Sequence, residues 1–154
     1  MKRISGAILL FLAFTIPLNG CSRGRELVLR DQTTGQVYGA WTVGEGDTFS
    51  LEFIHSVNQS PVIDVFAVEE DHLRAVKTIY SSLGAGVQSE LQPGETLSYD
   101  ESGRMVISGF QRTYESLNLI VGTVSDHSLT IQDKTYSLRE LCGKNAAVTF
   151  AINP

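Results

Sequence analysis

The sequence predicts an all-β fold, a single-domain antiparallel sandwich or partly closed barrel of about ten short strands. Apolar residues alternate with period two in short runs from Glu26 onward, and Gly, Asn, Asp and Pro interrupt these runs. Almost nothing repeats at helical spacing, and only the stretch 136–143 is compatible with a helical turn. The length of 154 residues suits one packed core.

The first half of the chain predicts two hairpins with one strand between them. Residues 26–31 and 36–42 flank the turn 32–35 and form the first hairpin. The strand 48–55 follows, and it places four side chains on one face: Phe49, Leu51, Phe53 and His55. Residues 62–69 and 72–80 form the second hairpin.

The second hairpin also predicts a register. A two-residue turn at Glu70 and Asp71 places four pairs opposite each other: Val68 with Leu73, Phe66 with Ala75, Asp64 with Lys77, and Val62 with Ile79. This register matches apolar with apolar residues and an acid with a base. An exposed Asp64–Lys77 pair would stabilise the fold by roughly 0.2–1 kcal/mol.

The second half of the chain predicts shorter strands. Residues 91–94 form a turn around Pro93 and Gly94, and residues 132–134 link a third hairpin. The predicted strands are 104–109, 116–124, 128–131, 135–138 and 146–152.

The N-terminus predicts export. Lys2 and Arg3 precede the apolar run 4–17, and Leu18-Asn19-Gly20-Cys21 follows, a pattern that resembles a bacterial lipoprotein signal. We therefore predict a signal peptide at 1–20, a lipid anchor at Cys21 with a tether to residue 25, and a β-domain at 26–154. The alternative is an ordinary secretory signal with a chance Cys. Ser22, which is not the Asp of inner-membrane retention, favours an outer-membrane anchor facing the periplasm.

The charge of the chain excludes some partners. There are 17 acidic and 12 basic residues, without a sustained Lys/Arg patch, so nucleic acid is not a predicted partner. Contact with a membrane would depend on the predicted lipid anchor at Cys21, because an acidic protein surface is not attracted to anionic membrane lipids. With Cys21 acylated, Cys142 has no partner for an intramolecular disulfide, and its apolar surroundings predict a buried structural thiol.

Residues 51–66 gather the side chains most able to do chemistry. A hydrolase would need a hydrogen bond between Ser56 and His55, yet neighbours on a strand point to opposite faces, and the Gly-x-Ser-x-Gly elbow is missing. His72 is expected near a hairpin tip and His127 in a solvent-facing turn. These dispersed histidines do not predict a metal site, and the sequence predicts no cofactor.

Ligand binding by the same residues requires less exact geometry than catalysis does. His55 at the end of an apolar face, the hydroxyl of Ser56 and the acid Asp64 on the next strand would suit a small polar ligand or a partner loop. Alternatively, His55 and Asp64 bond each other or nearby backbone and lock the loop 57–61. The loop Gly84-Ala85-Gly86 is either an anion-binding corner or a tight turn.

The motif pattern resembles a known family. Phe53-x-His55-Ser56-Val57, then Pro61-Val62-x-Asp64-x-Phe66 and Gly84-Ala85-Gly86, is similar to a small bacterial family of exported domains of unknown function. Members are encoded beside, or fused to, TRAP transporters of the TAXI type. The chain departs from that family at Asp64, which is more often Glu, and at Val87-Gln88, where a Leu-Pro-like step is usual. The resemblance implies an association with solute import.

These observations predict a membrane-anchored accessory protein of a TRAP-type import system. It would bind a transporter subunit, either the permease or the solute-binding protein, or a small carboxylate-type solute. The predicted binding residues are His55, Ser56, Pro61, Asp64, Gly84, Ala85 and Gly86. The alternatives are a hydrolase that uses Ser56 and His55, and a structural envelope lipoprotein without a ligand.

Overall fold

The computed structural model describes residues 24–57, 59–81 and 90–153. Over these residues the chain forms two antiparallel sheets of a sandwich, and neither sheet closes into a barrel. The all-β prediction is confirmed. The predicted signal peptide at 1–20, Cys21 and the loop Gly84-Ala85-Gly86 lie outside the described residues, within which no helix is long and apolar enough to cross a membrane.

The described residues contain twelve strands and one helix. In chain order they are β1 Arg25–Asp31, β2 Val37–Val43, β3 Thr48–Ile54, β4 Pro61–Glu69, β5 His72–Tyr80, β6 Thr96–Tyr99, β7 Met105–Ser108, β8 Thr113–Tyr114, β9 Ser116–Ile120, β10 His127–Ile131, β11 Lys134–Ser137, α1 Leu138–Cys142 and β12 Ala147–Asn153. The predicted hairpins β1–β2, β4–β5 and β10–β11 all form.

The two sheets differ in width. The first has the strand order β2-β1-β12-β9, and the second has the order β11-β10-β3-β4-β5-β7-β6, with β8 paired to β5. Strands β6 and β8 were not predicted. All four residues of β6 are exposed and β8 has only two residues, so neither strand shows an alternation of buried and exposed positions.

The core lies between the sheets. Phe49 of β3 stacks on Phe66 of β4 at 5.5 Å between ring centroids and on Phe150 of β12 at 6.0 Å, so it joins the two layers. Burying one large apolar side chain contributes roughly 1.5–3 kcal/mol. The largest fully buried side chains are Phe150, Leu27, Leu29, Leu73, Leu129, Leu138, Val68, Val121 and Val148.

A β-bulge corrects the predicted register of β4 and β5. Val68 does pair with Leu73 and Phe66 with Ala75, but the register shifts between Val65 and Phe66. As a result Asp64 lies opposite Thr78 and Val62 opposite Tyr80, so the predicted Asp64–Lys77 and Val62–Ile79 pairs are wrong. The extra residue gives Thr78, rather than the lysine, the buried position beside Asp64, which avoids the cost of burying an ammonium group.

The predicted helical turn is confirmed as α1. Ser137 precedes it as N-cap, and its hydroxyl accepts a hydrogen bond of 3.0 Å from the N–H of Glu140. Gly143 ends the helix with a φ of 89°, and its N–H donates to the carbonyl of Arg139.

Candidate functional site

His55 begins the loop between β3 and β4. Its N–H donates to the carbonyl of Ser60 at 2.9 Å, and its own carbonyl accepts from the N–H of Gln59 at 3.0 Å. The ring atom Nδ1 accepts a hydrogen bond from the N–H of Val57 at 3.3 Å. The imidazole therefore helps to hold the backbone of its own loop, one of the two alternatives that the sequence left open.

Ser56 lies on the exposed side of the same loop, where its carbonyl accepts a hydrogen bond of 2.5 Å from Gln59 Nε2. Within the part of the chain that the structure describes, its hydroxyl makes no hydrogen bond to the His55 ring. That hydrogen bond is what a serine nucleophile and its base require.

Pro61 begins β4 opposite Ile54. Its carbonyl accepts a hydrogen bond from the Ser81 hydroxyl at 3.4 Å, at the end of β5. Pro61 therefore joins the β3–β4 loop to the point where the chain leaves the second hairpin.

Asp64 lies well away from His55. Asp64 is opposite Leu51 on β3, whereas His55 bonds to Ser60, four positions earlier along the chain. At about 3.3 Å per residue this separates the two along the strand by roughly 13 Å. The structure thus does not bring the predicted pair together.

The Asp64 carboxylate faces the space between the sheets. Its Oδ1 accepts a hydrogen bond of 2.6 Å from the hydroxyl of Thr78, which is the only hydrogen-bond partner of this carboxylate among the described residues. Burial raises the pKa of Asp64, while the bond from Thr78 and the charge of Arg112 oppose that rise. The second oxygen, Oδ2, accepts no hydrogen bond from the described residues.

Two cavities meet at this carboxylate. The larger one, of about 400 Å³, is mostly apolar, and the smaller one, of about 190 Å³, is mostly polar. Asp64, Phe66 and Tyr114 line both, and we call the two cavities together the Asp64 cleft. The apolar cavity is also lined by Leu51, Phe53, Ser116, Leu117, Asn118, Leu119 and His127. The polar cavity is also lined by Val65, Ala75, Lys77, Thr78, Tyr80, Phe110 and Arg112.

Arg112 supplies positive charge at the polar end of the cleft. Its guanidinium donates to Glu95 at 2.7 Å and lies over the Phe110 ring, 4.6 Å from the centroid. The Glu95 side chain is only 3% exposed, and one of its oxygens accepts from the N–H of Gln92 at 2.9 Å. The ion pair is therefore anchored to a turn at 92–95, which a hydrogen bond from the Glu95 N–H to the Gln92 carbonyl closes one residue later than the predicted turn at 91–94.

A family of domains of unknown function, DUF1850, matches residues 49–138, more than half of the chain. The chain belongs to the DUF1850 family. The predicted membership of an uncharacterised domain family is confirmed at this level. Neither a curated protein nor a solved structure matches the chain.

The DUF1850 segment contains every residue that lines the Asp64 cleft. Strands β1, β2 and β12 lie outside the matched residues and supply three of the four strands of the first sheet. Part of the core that supports the cleft therefore comes from chain segments that flank the family match.

His127, within the DUF1850 segment, is placed differently from the prediction. It begins β10 opposite Phe53 and is half-buried, so the expected solvent-facing turn is wrong. Its Nδ1 accepts a hydrogen bond of 3.1 Å from the N–H of Gly122, and burial lowers its pKa against the opposing charge of Asp126. A neutral imidazole results, with its proton on Nε2. The alternation of His127 with Leu129 and Ile131 was the signal in the sequence.

His72 lies at the tip of the second hairpin, as predicted. Its ring contacts Asp71 and Glu69, each at 3.2 Å. The hydrogen bond that the His72 ring donates to Asp71 raises the pKa of His72, burial opposes the rise, and Glu69 adds to it. The described residues contain no group of three or more His, Cys, Asp or Glu side chains placed to hold a metal ion.

Cys142 is half-buried at the end of α1 and packs against the core. Burial, followed by the charges of Asp126 and Asp31, raises its pKa to about 11. A thiol with this pKa stays protonated at neutral pH, which fits the predicted structural role.

Proposed function

We propose that the protein is an exported, lipid-anchored accessory of a TRAP-type solute import system, and that it binds a small carboxylate-type solute in the Asp64 cleft. The observation that carries the binding part is the half-buried Asp64 carboxylate, which has Thr78 as its hydrogen-bond partner and lies where two cavities meet. The import part is supported by the resemblance of the Pro61-Val62-x-Asp64-x-Phe66 motif.

The size and lining of the cleft suit a small molecule. Ligand cavities are typically about 300–1,000 Å³ and combine apolar walls with a few polar groups. Here the apolar walls come from β3, β4 and β9, and the polar groups come from Asp64, Thr78 and Arg112. Asp64 and Thr78 lie on the paired strands β4 and β5, so this part of the cleft would be formed before a solute arrives.

The polar cavity favours a carboxylate. The positive charge of Arg112 is close enough to oppose the rise in the pKa of Asp64, and the same charge would stabilise a solute anion. The hydroxyl-bearing side chains of Thr78, Tyr80 and Tyr114 line the same space. Together they would replace part of the water that surrounds a carboxylate in solution.

Uptake in cells tests the import part. A strain that lacks the protein is complemented with wild type, Asp64→Asn or Asp133→Asn, and uptake of labelled dicarboxylates and amino acids is measured. Asp133 is exposed, lies on the β10–β11 turn and lines neither cavity, so its variant is the matched control. We expect Asp64→Asn to reduce uptake of at least one solute and Asp133→Asn to behave as wild type. Equal uptake by all strains, including the strain without the protein, would exclude a role in import and would favour the alternative of a structural envelope lipoprotein.

A subunit-binding role makes a different prediction. If the protein acts by binding the permease or the solute-binding protein, the transporter subunits co-purify with it from detergent extracts, and Asp64→Asn does not reduce their recovery. No purified solute then shifts the unfolding midpoint. Co-purification together with a solute-induced shift would support both parts of the proposal.

A further inference from the structure

We propose that the carboxylate of Asp64 receives the ammonium group of the solute, whose apolar part occupies the larger cavity. This inference rests on the proposed solute-binding function. Combined with the carboxylate expected near Arg112, it assigns the solute to the class of amino acids with an apolar side chain.

The charge of the larger cavity favours a cation. Among the described residues that line it, Asp64 is the only Asp, Glu, Lys or Arg, and His127 is neutral because Nδ1 accepts a hydrogen bond from a backbone N–H. An ionised Asp64 therefore gives this cavity a negative charge. It attracts an ammonium group and repels a carboxylate that enters from the same side.

Aromatic side chains line the same cavity as the Asp64 carboxylate. Phe53 lies 5.5 Å from the His127 ring, and Phe66 lies 6.2 Å from Tyr114, measured between centroids. Phe53, Phe66 and Tyr114 all line the larger cavity with Asp64. The negative face of an aromatic ring attracts a cation, most strongly where water is excluded. An anionic solute group gains nothing from these faces.

The hydrogen bonding of Asp64 fits an ammonium donor. Thr78 donates to Oδ1, and Oδ2 has no partner among the described residues. A primary ammonium group has three donors and no acceptor, so one donor satisfies Oδ2 directly. The bound cation also compensates the desolvation that ionised Asp64 suffers between the sheets.

The apolar cavity and the polar cavity of the cleft would then bind two different parts of one solute. Leu51, Leu117 and Leu119 line the larger cavity beside the aromatic rings and suit an apolar side chain. Arg112 lines the polar cavity beyond Asp64. An α-amino acid carries its ammonium and carboxylate groups on one carbon, so one molecule reaches Asp64 while its anion lies on the Arg112 side.

Three matched sets of compounds test this assignment. Each set contains an amino acid, its deaminated acid and its decarboxylated amine, built on a methyl, isobutyl or benzyl side chain. The isobutyl set is leucine, 4-methylpentanoate and 3-methylbutylamine. Midpoints of thermal unfolding are measured for the purified full-length protein, for Asp64→Asn and for the control Asp133→Asn. Saturation at about 100 times the dissociation constant raises the midpoint by several degrees.

We expect at least one amino acid to raise the midpoint of wild type and Asp133→Asn, its amine to raise it less, and its deaminated acid to leave it unchanged. In Asp64→Asn the shift from the amine is lost, and the shift from the amino acid falls severalfold or more. A deaminated acid that matches its amino acid, with Asp64→Asn behaving as wild type, overturns the ammonium assignment while solute binding stands. The absence of any shift with all nine compounds overturns the assignment to amino acids with an apolar side chain, while solute binding itself is tested separately by the uptake of labelled dicarboxylates.

Discussion

The hydroxyl of Thr78 donates a 2.6 Å hydrogen bond to Oδ1 of Asp64 across the β4–β5 pair. These residues face each other because the register shifts between Val65 and Phe66. Without the shift Lys77 would occupy the position opposite Asp64. The bulge thus leaves a carboxylate between the sheets with one neutral partner instead of an ion pair, and this carboxylate is what the proposed site depends on.

Replacing Asp64 by Asn is expected to increase the free energy of unfolding at neutral pH. Burial raises the pKa of Asp64 in the folded protein above its ordinary value of 3.8. The folded state therefore binds this proton more readily than the unfolded state, and stability falls as pH rises from 3.8 through the raised pKa. Urea unfolding at pH values from 3 to 8 measures the difference between Asp64→Asn and wild type.

The gain from Asp64→Asn should be largest above the folded-state pKa and should vanish as the pH falls below 3.8, where the wild-type group is protonated in both states. Asp133→Asn, at an exposed turn, is the control and should differ little from wild type at any pH. A loss of stability in Asp64→Asn at neutral pH would mean that the ionised carboxylate is favourably placed, and the desolvation account would fail.

Replacing Gly109 by Ala is expected to destabilise the fold more than replacing Gly103 by Ala. Both glycines have positive φ, 84° and 77°, so both variants suffer left-handed strain of about 1–2 kcal/mol. A Cβ at Gly109 would also lie 2.3 Å from the carbonyl oxygen of Gly94, whereas one at Gly103 would meet nothing within 4 Å. Chemical denaturation of both variants isolates the effect of this backbone contact.

The Gly109 contact also bears on the cleft. Gly94 precedes Glu95, the partner of Arg112, so a displaced Gly94 is expected to move the ion pair. Solute binding should then weaken in Gly109→Ala but not in Gly103→Ala. Equal stability of the two variants would show that the loop accommodates the added carbon atom.

Replacing Asp126 by Ala is expected to cost about 1.5–3 kcal/mol, the usual range for hydrogen bonds to a charged group. Its carboxylate accepts bonds from the Ser137 hydroxyl and from the N–H groups of His127 and Arg139, and so ties β10 to the start of α1. Thermal unfolding of Asp126→Ala and Asp126→Asn measures the loss, and Asn should lose less because it keeps one acceptor.

The same carboxylate predicts a pH dependence opposite to that of Asp64. Burial alone would raise the pKa of Asp126, but the bonds from Ser137, Arg139 and His127 outweigh burial and lower it. Its stabilising contribution is complete above the ordinary carboxyl pKa of 3.8 and is lost as pH falls through the lowered pKa. Asp126→Asn should therefore lose less stability than wild type on acidification. If the variant and wild type lose the same amount of stability as the pH falls, the acid sensitivity belongs to other carboxylates.

Replacing Phe150 by Ala is expected to cost about 3–5 kcal/mol, because it opens a cavity between the two sheets. Phe150 is fully buried on β12 and stacks on Phe49 of the opposite sheet. Val124→Ala, at a side chain that is 95% exposed, should stay within about 0.5 kcal/mol of wild type. A loss below about 1 kcal/mol for Phe150→Ala would indicate that the sheets close over the missing ring.

Much of the fold follows from local patterns. Alternation with period two predicted the buried positions Phe49 and Leu51 of β3 and Leu73 and Ala75 of β5, and turn residues predicted three hairpins. These features depend on neighbours in sequence, which share one strand or one turn. Strand β6 was not predicted because all four of its residues are exposed. Its pairing with β7 therefore produces no alternation of apolar and polar residues in the sequence.

The candidate site was only partly predictable. The sequence singled out Asp64, but it gave the carboxylate the wrong cross-strand partner and placed His127 in a turn. Thr78, Tyr114 and Arg112 carry no motif of their own, and they reach the cleft from β5, from β8 and from the segment before β8.

By itself the sequence determined the β class, the hairpins and the presence of an acid on a core-facing strand, since each depends on residue spacing within a short stretch. Only the tertiary structure decided that Asp64 meets Thr78 and a cleft with Arg112, while His55 organises its own loop. The physical reason is that a single extra residue in β5 reassigns every pair beyond it. Whether that bulge forms is set by the packing of two sheets that the local pattern does not encode.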